Sequence, residues 1–383
     1  MTKANYTALF FLILCTVPLW ATGPSGSHTQ DSAANNTEPL AEGAPPVAMA
    51  APHKVVAGPF VLDPKTLQTL QSADNVDKEV LLAKAAQAVS LHIKNCVLPD
   101  DTEGLLSPFV KVHELVMRNM GMGHISPKRL PQMPCEEKLE TLIVCGVCFE
   151  SIGNLHMYPN VHTLKLNGIW FKEGPTLPDV VASFEPLASL NNLRTFHCSV
   201  PHTLELDEPQ SEQVQIFIRM IQNNSDLEDF YYSGCLVPAL LDALTPVPLR
   251  KLTLKNARLD DAGLARLPTQ MLDRLDLFNN ALVNLAPLVG SPVRVLNLNF
   301  NQKLGDAFAH VVCTLPNLEK LSLVNCHLED DQIEPLFKLA QKLTFLNLAA
   351  NIQLSPAMHE RLQAAFGDNL SLDWYSDDLY KPF

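Results

Sequence analysis

The chain has 383 residues, of which 47% are apolar, 18% are charged and 7% are aromatic. This apolar content is enough for a large packed core and excludes disorder of the whole chain. The formal net charge of −13 at pH 7 argues against a general nucleic-acid-binding protein, because such proteins carry a basic surface.

Residues 1–21 have the pattern of a secretory signal peptide. Lys3 provides the positive start, residues 8–19 form an apolar stretch, and Ala21 supplies the small residue before a cleavage site. A helix that spans a bilayer needs about 20 apolar residues, so the stretch is too short to serve as a membrane anchor. We therefore predict that the mature protein is secreted or periplasmic and has no transmembrane segment.

Residues 22–54 contain mainly Ala, Pro, Ser, Gly and Asn, and this composition predicts a disordered linker. Residues 55–87 are predicted to form a helical cap, in which a helix that begins at Val76 covers the first strand. At the opposite end, residues 376–383 are expected to form a short tail. Leu370, Leu372, Trp374 and Tyr375 are expected to cover the last strand.

Residues 88–375 repeat one phrase, apolar-x-x-Leu-x-Leu-x-Asn-Cys-x-Leu, in about twelve copies. The clearest copies begin at Ala88 and Leu318. Most successive copies are 21 to 27 residues apart, and two intervals are longer, at 32 and 34 residues. The fourth position of each copy is the best marker of the repeat, and it is occupied by Leu91, Leu115, Leu142, Leu164, Phe196, Phe230, Leu252, Leu275, Leu296, Leu321, Leu346 and Leu370.

This phrase resembles the leucine-rich repeat superfamily, and its Asn-Cys-x-Leu ending resembles the ribonuclease-inhibitor-like subclass. The resemblance implies an α/β solenoid, or horseshoe, with a parallel β-sheet on the concave side and short helices and turns on the convex side. It also implies that the protein binds other proteins. Within the two long intervals, residues 212–223 read as an amphipathic helix, and residues 172–189 as a loop with a short helix.

The ninth position of the phrase is expected to point into the turn that follows each strand. An Asn side chain there can satisfy free backbone groups of the turn. The ninth position is Cys or Asn in only some copies, so we predict that such turn-stabilising bonds form a partial ladder along the array. The copies with Cys or Asn are Cys96, Cys235, Cys326, Asn280, Asn301 and Asn351.

Positions two, three, five and seven are expected to face solvent on the concave side. They carry ten basic and seven acidic residues, so this face should be mildly basic although the chain is acidic. Tyr231, Phe278 and Phe345 should add exposed aromatic rings. We predict a partner-binding surface here, with an ordinary solvated sheet face as the alternative. The candidate contact residues are Lys94, Arg118, Lys165, Arg194, His197, Tyr231, Arg250, Lys251, Lys255, Phe278 and Arg294.

The chain has nine cysteines, and eight remain after Cys15 is removed with the signal peptide. Cysteines at inward repeat positions are expected to be buried and apolar in character. Cys135, Cys145 and Cys148 are close in sequence, so they are the candidates for a disulfide. Free thiols are favoured for these three, and a disulfide or a metal site remains an alternative, because a single Cys-x-x-Cys pair is weak evidence for zinc.

Searches for catalytic motifs find no Gly-x-Ser-x-Gly elbow, no phosphate-binding glycine loop and no His-Glu-x-x-His pair. The sequence therefore predicts a protein that is not an enzyme and that needs no cofactor or metal. We expect an exported protein that recognises a protein partner. The alternatives are an envelope-associated structural protein without one specific partner and, third, an enzyme with a Cys145 nucleophile and His162 as its base.

Overall fold

The structure is a computed structural model that describes residues 58–72, 76–96, 98, 102–118, 130–149, 152–168, 170–171, 184–199 and 211–372. The predicted signal peptide, linker and C-terminal tail lie outside these residues, as does the loop part of residues 172–189. The described part contains no helix that is long and apolar enough to cross a membrane.

The described residues form a parallel sheet of thirteen strands, in which nearly every strand pairs with the strand of the next repeat. Numbered in chain order, its strands are β1 (Phe60–Leu62), β2 (Ser90–Lys94), β3 (Glu114–Arg118), β4 (Thr141–Cys145), β6 (Thr163–Asn167), β8 (Thr195–Ser199), β9 (Asp229–Ser233), β10 (Lys251–Lys255), β11 (Arg274–Asp276), β12 (Val295–Asn297), β13 (Lys320–Ser322), β14 (Phe345–Asn347) and β15 (Leu370–Ser371). A second, two-stranded sheet pairs β5 (Cys148–Phe149) with β7 (Trp170–Phe171).

The register of the large sheet follows the repeat phrase. The fourth-position residue of each copy lies beside that of the next copy, from Leu91 beside Leu115 to Leu346 beside Leu370. All twelve predicted fourth positions take part, including Leu252 beside Leu275. The predicted leucine-rich repeat solenoid of α/β class is therefore confirmed.

The helices connect successive strands. The predicted amphipathic helix is confirmed over Glu212–Asn223, where Ser211 caps the first turn through the amide of Val214. The other α-helices are Pro64–Gln71, Val76–Ala85, Glu103–Leu106, Pro238–Leu244, Asp261–Leu264, Phe308–Val312, Asp330–Ile333 and Pro356–Phe366. Shorter 3-10 helices are Glu136–Lys138, Gly153–Met157, Glu185–Ser189, Ala286–Leu288, Glu334–Leu339 and Gly367–Asn369.

The N-terminal end of the described sheet is formed by a strand. The first strand is β1, and Phe60 lies beside Leu91 at the fourth-position register. Three apolar residues in a row form this strand, and Asp63 ends it by capping the helix that follows, with its carboxylate accepting from the amide of Thr66 at 2.8 Å. The edge of the described sheet is therefore a strand, and the capping role of residues 55–87 stays a prediction.

The core lies between the sheet and the helices, and it contains the fourth and sixth positions of the repeats. Leu252, Leu254, Leu275 and Leu277 are each 0% exposed. They belong to one continuous apolar cluster that runs through successive repeats. Each repeat covers its neighbour, which is why no single copy needs to close a core alone.

Positions eight and nine of the phrase form the turn after each strand. Position eight takes a positive φ, which suits Asn and Gly, in Asn95, Gly146, Gly168, Gly234, Asn256, Asn279, Phe300, Asn325 and Ala350. At position nine, the Asn280 amide donates to the carbonyls of Leu254 and Leu277 at 2.8 and 2.9 Å, and its oxygen accepts from the amides of Ala257 and Leu259. Cys326 occupies the same position in its repeat, and its thiol supplies only a donor, with Sγ donating to the Leu298 carbonyl at 3.2 Å. The predicted ladder of Asn and Cys is thus observed at these copies.

The strands shorten from five residues to three between β10 and β11. At this point the fifth position changes to Asp276, and Asn297 follows in the next repeat. Their side-chain oxygens accept from the amides of Phe278 and Asn299, two residues further along, at 3.1 and 3.0 Å. This local bond turns the backbone out of the sheet earlier, because the side chain offers the amide an alternative to a neighbouring strand.

Candidate partner-binding face

The sheet presents one face to the core, and its other face carries positions two, three, five and seven of the repeats. We call the latter the open face. Along β6 to β10 the side chains at these positions are half-buried or exposed, including Lys165, His197, Tyr231 and Lys251. The alternation of buried and accessible residues places the predicted contact residues on this face, as a strand with one buried side requires.

A compact group on the open face surrounds Lys255, and we call Tyr231, Lys255, Asp276, Phe278 and Phe300 the Lys255 patch. The ammonium of Lys255 lies 5.7 Å from the ring centres of both Tyr231 and Phe278. Phe300 extends the aromatic surface, with its ring centre 4.8 Å from that of Phe278. Cation–π contacts of this kind contribute about 0.5–2 kcal/mol each, depending on how far they are desolvated.

An ion pair fixes the lysine at the centre of this patch. The Lys255 ammonium lies 3.2 Å from Oδ2 of Asp276, whose side chain is only 2% exposed. The other carboxylate oxygen accepts from the backbone amide of Phe278 at 3.1 Å, so the carboxylate is itself held in place. A partly exposed cation is thereby positioned between two rings before any partner arrives, which reduces the entropy lost on binding.

Phe300 was missed in the sequence, because it occupies position eight, which was not assigned to the face. Its φ is +63°. A left-handed conformation costs a residue other than glycine about 1–2 kcal/mol, and most copies place Asn or Gly there. The signal in the sequence is therefore a large aromatic residue at a position that otherwise favours Asn or Gly. Strain that is retained in a protein often marks a functional position.

A second group lies beside the patch. His197 Nε2 is 3.1 Å from Oδ1 of Asp229, and the Lys251 ammonium is 3.9 Å from Oδ2. Burial raises the pKa of the Asp229 carboxyl, but the hydrogen bond and positive charge of His197 and the nearby lysines outweigh it, and the pKa is lowered overall. The His197 ring lies 5.4 Å from that of Tyr231. Of the predicted contact residues, His197, Tyr231, Lys251, Lys255 and Phe278 are therefore brought together.

Lys165 adjoins this group, because it lies beside His197 in the register of β6 and β8. Lys94 and Arg118 form a separate pair on β2 and β3, several strands away from the patch. The predicted contact residues therefore fall into more than one group.

Three of the four predicted arginines, Arg194, Arg250 and Arg294, share position two, where basic and acidic residues alternate from strand to strand. Arg294 is engaged by both carboxylate oxygens of Glu319, at 2.8 and 2.9 Å. Arg194 and Arg250 line a shallow groove with Asp226, Glu228, Pro248 and Met271. The acidic neighbours offset much of the positive charge along this row.

Phe345 was expected to be an exposed aromatic residue on this face, and that expectation was wrong. It is 5% exposed and forms a small apolar cluster with Val295, separate from the main core. Lys320, which lies between them in the register, is 6% exposed. The open face therefore changes from accessible to buried between β10 and β14.

The cysteine predictions fall partly outside the described side chains. Cys135 and Cys145 carry free thiols, and Cys135 donates to the Val112 carbonyl at 3.2 Å. The Cys148 side chain lies outside the described residues, so its state stays a prediction. Burial raises the pKa of the Cys145 thiol, which is the opposite of what a nucleophilic cysteine needs. Among the described residues, no group of three or more His, Cys, Asp or Glu could hold a metal ion.

No family model matches the sequence, and no curated protein sequence matches it. Among solved structures, the chain is similar to an internalin from Listeria monocytogenes, with 18% identity, a TM-score of 0.47, and coverage of 82% of this chain and 93% of that chain. It is also similar to a chain of the yeast complex of Rad7 and Elc1, with 16% identity, a TM-score of 0.35, and coverage of 82% and 91%. Similarities this low assign neither a family nor a partner.

Proposed function

We propose that this chain is an exported recognition protein of the ribonuclease-inhibitor-like leucine-rich repeat type, which binds another protein through the Lys255 patch on its open face. The observation that carries the proposal is the grouping of Tyr231, Phe278 and Phe300 around an ion-paired lysine. Aromatic residues supply much of the binding energy at protein interfaces, particularly where their positions are fixed in advance. Export rests on the signal-peptide pattern of residues 1–21.

The neighbouring charges indicate where a partner would extend. Lys251, with a side chain that is 51% exposed, lies on the same strand as Lys255, and Arg250 directly precedes it in the chain. A partner with carboxylates opposite these two residues would associate faster at low salt, because opposite charges steer the encounter. Reversing the charge of Arg250 and Lys251 should therefore slow association more than it speeds dissociation.

The proposal is tested by capture from the native extracytoplasmic compartment with immobilised residues 22–383. A stoichiometric partner should be retained by the wild-type chain and lost with Phe278→Ser or Lys255→Glu. We expect the Kd for that partner to rise at least about thirtyfold in each variant, as for residues at the centre of an interface. Lys303→Glu, in the exposed turn after β12, is the matched charge control and should bind as the wild type does.

Circular dichroism of each variant separates lost binding from lost folding. Unchanged affinity in both folded variants would exclude the Lys255 patch as the binding site. Retention with bulk envelope material, without a stoichiometric partner, would instead favour the structural alternative.

A further inference from the structure

The first four repeats carry a group of cations on the open face with no carboxylate among them. Positions five and seven of β2, β3, β4 and β6 hold eight residues, of which three are permanent cations and none is acidic. The cations are Lys94, Arg118 and Lys165. Arg118 is exposed, and the two lysines are half-buried. The excess of positive charge is local, because the chain as a whole has a net charge of −13.

These cations also differ from Lys255 in their pairing. Lys255 lies beside the carboxylate of Asp276, whereas none of the three cations forms an ion pair with any residue that the structure describes. Glu114 is the acidic residue of β3, but it begins the strand that Arg118 ends, so about 13 Å of backbone separates them. The Glu114 carboxylate accepts from the hydroxyl of Ser90 at 2.8 Å. The positive charge is therefore available to a partner.

Two of the cations lie on a diagonal across the strands. Arg118 lies beside Cys145 in the register, and Lys165 lies beside Ile143. The cations are two strand spacings apart across the sheet and two residues apart along it, which gives about 12 Å between their backbones. Burial raises the pKa of the Cys145 thiol, and the charges of Arg118 and Lys165 both act against that shift. Both charges therefore reach the centre of the diagonal, where Ile143 and Cys145 lie.

We call Lys94, Arg118, Ile143 and Lys165 the Arg118 patch, and we propose that it binds an extended segment of the partner with the pattern acidic-x-apolar-x-acidic. In an extended chain, alternate residues share one face, and residues four apart are separated by about 13 Å. The two carboxylates of such a segment meet Arg118 and Lys165, and the apolar residue between them meets Ile143. Lys94, beside Arg118 in the register, adds positive charge at one end of the segment.

The apolar centre of the Arg118 patch favours a peptide over a sulfated or phosphorylated polymer. Ile143 is half-buried and offers no hydrogen bond from its side chain. A sulfated glycan would place hydroxyl or sulfate oxygens against it, and these would lose water without gaining a hydrogen bond. An apolar side chain between two carboxylates avoids this cost.

This inference rests on the proposed function, since it assigns the acidic segment to the protein that binds the Lys255 patch. Arg118 and Lys255 both lie at position seven, and five strand spacings, or about 24 Å, separate them. An interface of standard size covers about 800 Å² of each partner, which is about 30 Å across. One partner therefore reaches both patches, with its acidic segment at the Arg118 patch.

The experiment measures the binding of a fluorescent peptide, Gly-Glu-Ser-Leu-Ser-Glu-Gly, to residues 22–383 by fluorescence polarisation. Its Kd should be at least about tenfold lower than that of the same peptide with Gln in place of both Glu residues, because charge-assisted hydrogen bonds are lost. It should also be lower than the Kd of a permuted peptide in which Leu lies outside the two Glu residues. The Kd should rise at least about threefold between about 50 and 300 mM salt, because salt screens exposed charges.

The double substitution Arg118→Glu and Lys165→Glu should raise the Kd of the peptide at least about tenfold. Lys303→Glu is the matched charge control and should leave it unchanged. Circular dichroism checks the fold, and the pair Arg118→Gln and Lys165→Gln tests the same contacts should the charge-reversed chain fail to fold. The peptide assay contains no partner, so its outcome is independent of the Lys255 patch.

Four results would overturn the inference. The Glu and Gln peptides could bind equally, or the permuted peptide could bind as tightly as the first. The folded double variant could bind the peptide as the wild type does. A heparin fragment could bind more tightly than the peptide and displace it, which would assign the patch to a sulfated glycan. The double variant could also retain full affinity for the captured partner while Lys255→Glu loses it, which would remove this contact and leave the proposed function in place.

Discussion

Asn280 provides a test of how the turns of this solenoid are held together. Four short bonds of its side chain join two repeats: it donates to the carbonyls of Leu254 and Leu277 and accepts from the amides of Ala257 and Leu259, at 2.8 to 3.1 Å. Asn280→Ala leaves four backbone groups without this partner. A buried group left unsatisfied costs about 1–3 kcal/mol, but Asn280 is half-buried and water can replace part of the loss. We therefore expect a destabilisation of about 2–4 kcal/mol.

Asn280→Cys separates the two functions of this side chain. Cys326 shows that a thiol at the same position donates to the carbonyl of the preceding repeat. A thiol has one hydrogen, so at position 280 it should restore the bond to the Leu254 carbonyl and leave the Leu277 carbonyl and the two amides unsatisfied. Its cost should therefore be about 0.5–1 kcal/mol lower than that of alanine.

The free energy of unfolding should be measured by urea denaturation, with circular dichroism and fluorescence compared to check that the transition is two-state. The exposed residue Gln302 supplies the control, and Gln302→Ala should change stability by less than about 0.5 kcal/mol. The reasoning fails if the alanine variant at position 280 loses less than about 1 kcal/mol, or if the cysteine variant loses as much as the alanine variant.

Three further predictions address the core, the ion pair and the thiols. Leu275→Ala should lower the free energy of unfolding, measured by urea denaturation, by about 2–5 kcal/mol, because Leu275 is 0% exposed. Thr253→Ala, on the open face, should lower it by less than about 0.5 kcal/mol. Similar losses in both variants would contradict the assigned faces. Folding lowers the pKa of Asp229 below its ordinary 3.8, so the stabilising contribution of the carboxylate is present above pH 3.8 and is lost as the pH falls through the lowered value. The difference in unfolding free energy between wild type and Asp229→Asn should therefore shrink below about pH 4. A difference that does not change with pH would refute this. Burial raises the pKa of Cys198 and Cys326 to about 12, so these two thiols should be alkylated slowly in the folded chain at pH 8. In the denatured, unreduced mature chain, a thiol titration should count all eight cysteines as free. A count of six free thiols would demonstrate a disulfide.

The open face shows where sequence reasoning succeeded and where it stopped. The alternation of positions correctly placed Tyr231, Lys255 and Phe278 on one face, since side chains on a strand alternate by necessity. It could not show that Asp276 is buried and holds Lys255 between two rings, because that contact joins two repeats. Phe300 lies at position eight, where the repeat phrase predicts no contact residue, and its ring lies beside Phe278 in a turn with a positive φ.

The sequence by itself determined the repeat, its frame and the parallel register of the sheet. It could do so because every copy places an apolar residue at the fourth position and repeats the same local geometry, so neighbouring copies stack in one way. Only the tertiary structure decided that Phe345 and Lys320 are buried while Lys251 is exposed. The repeat phrase assigns these three residues the same environment because they occupy the same position of the strand, whereas their exposure depends on packing between parts of the chain that the phrase does not specify.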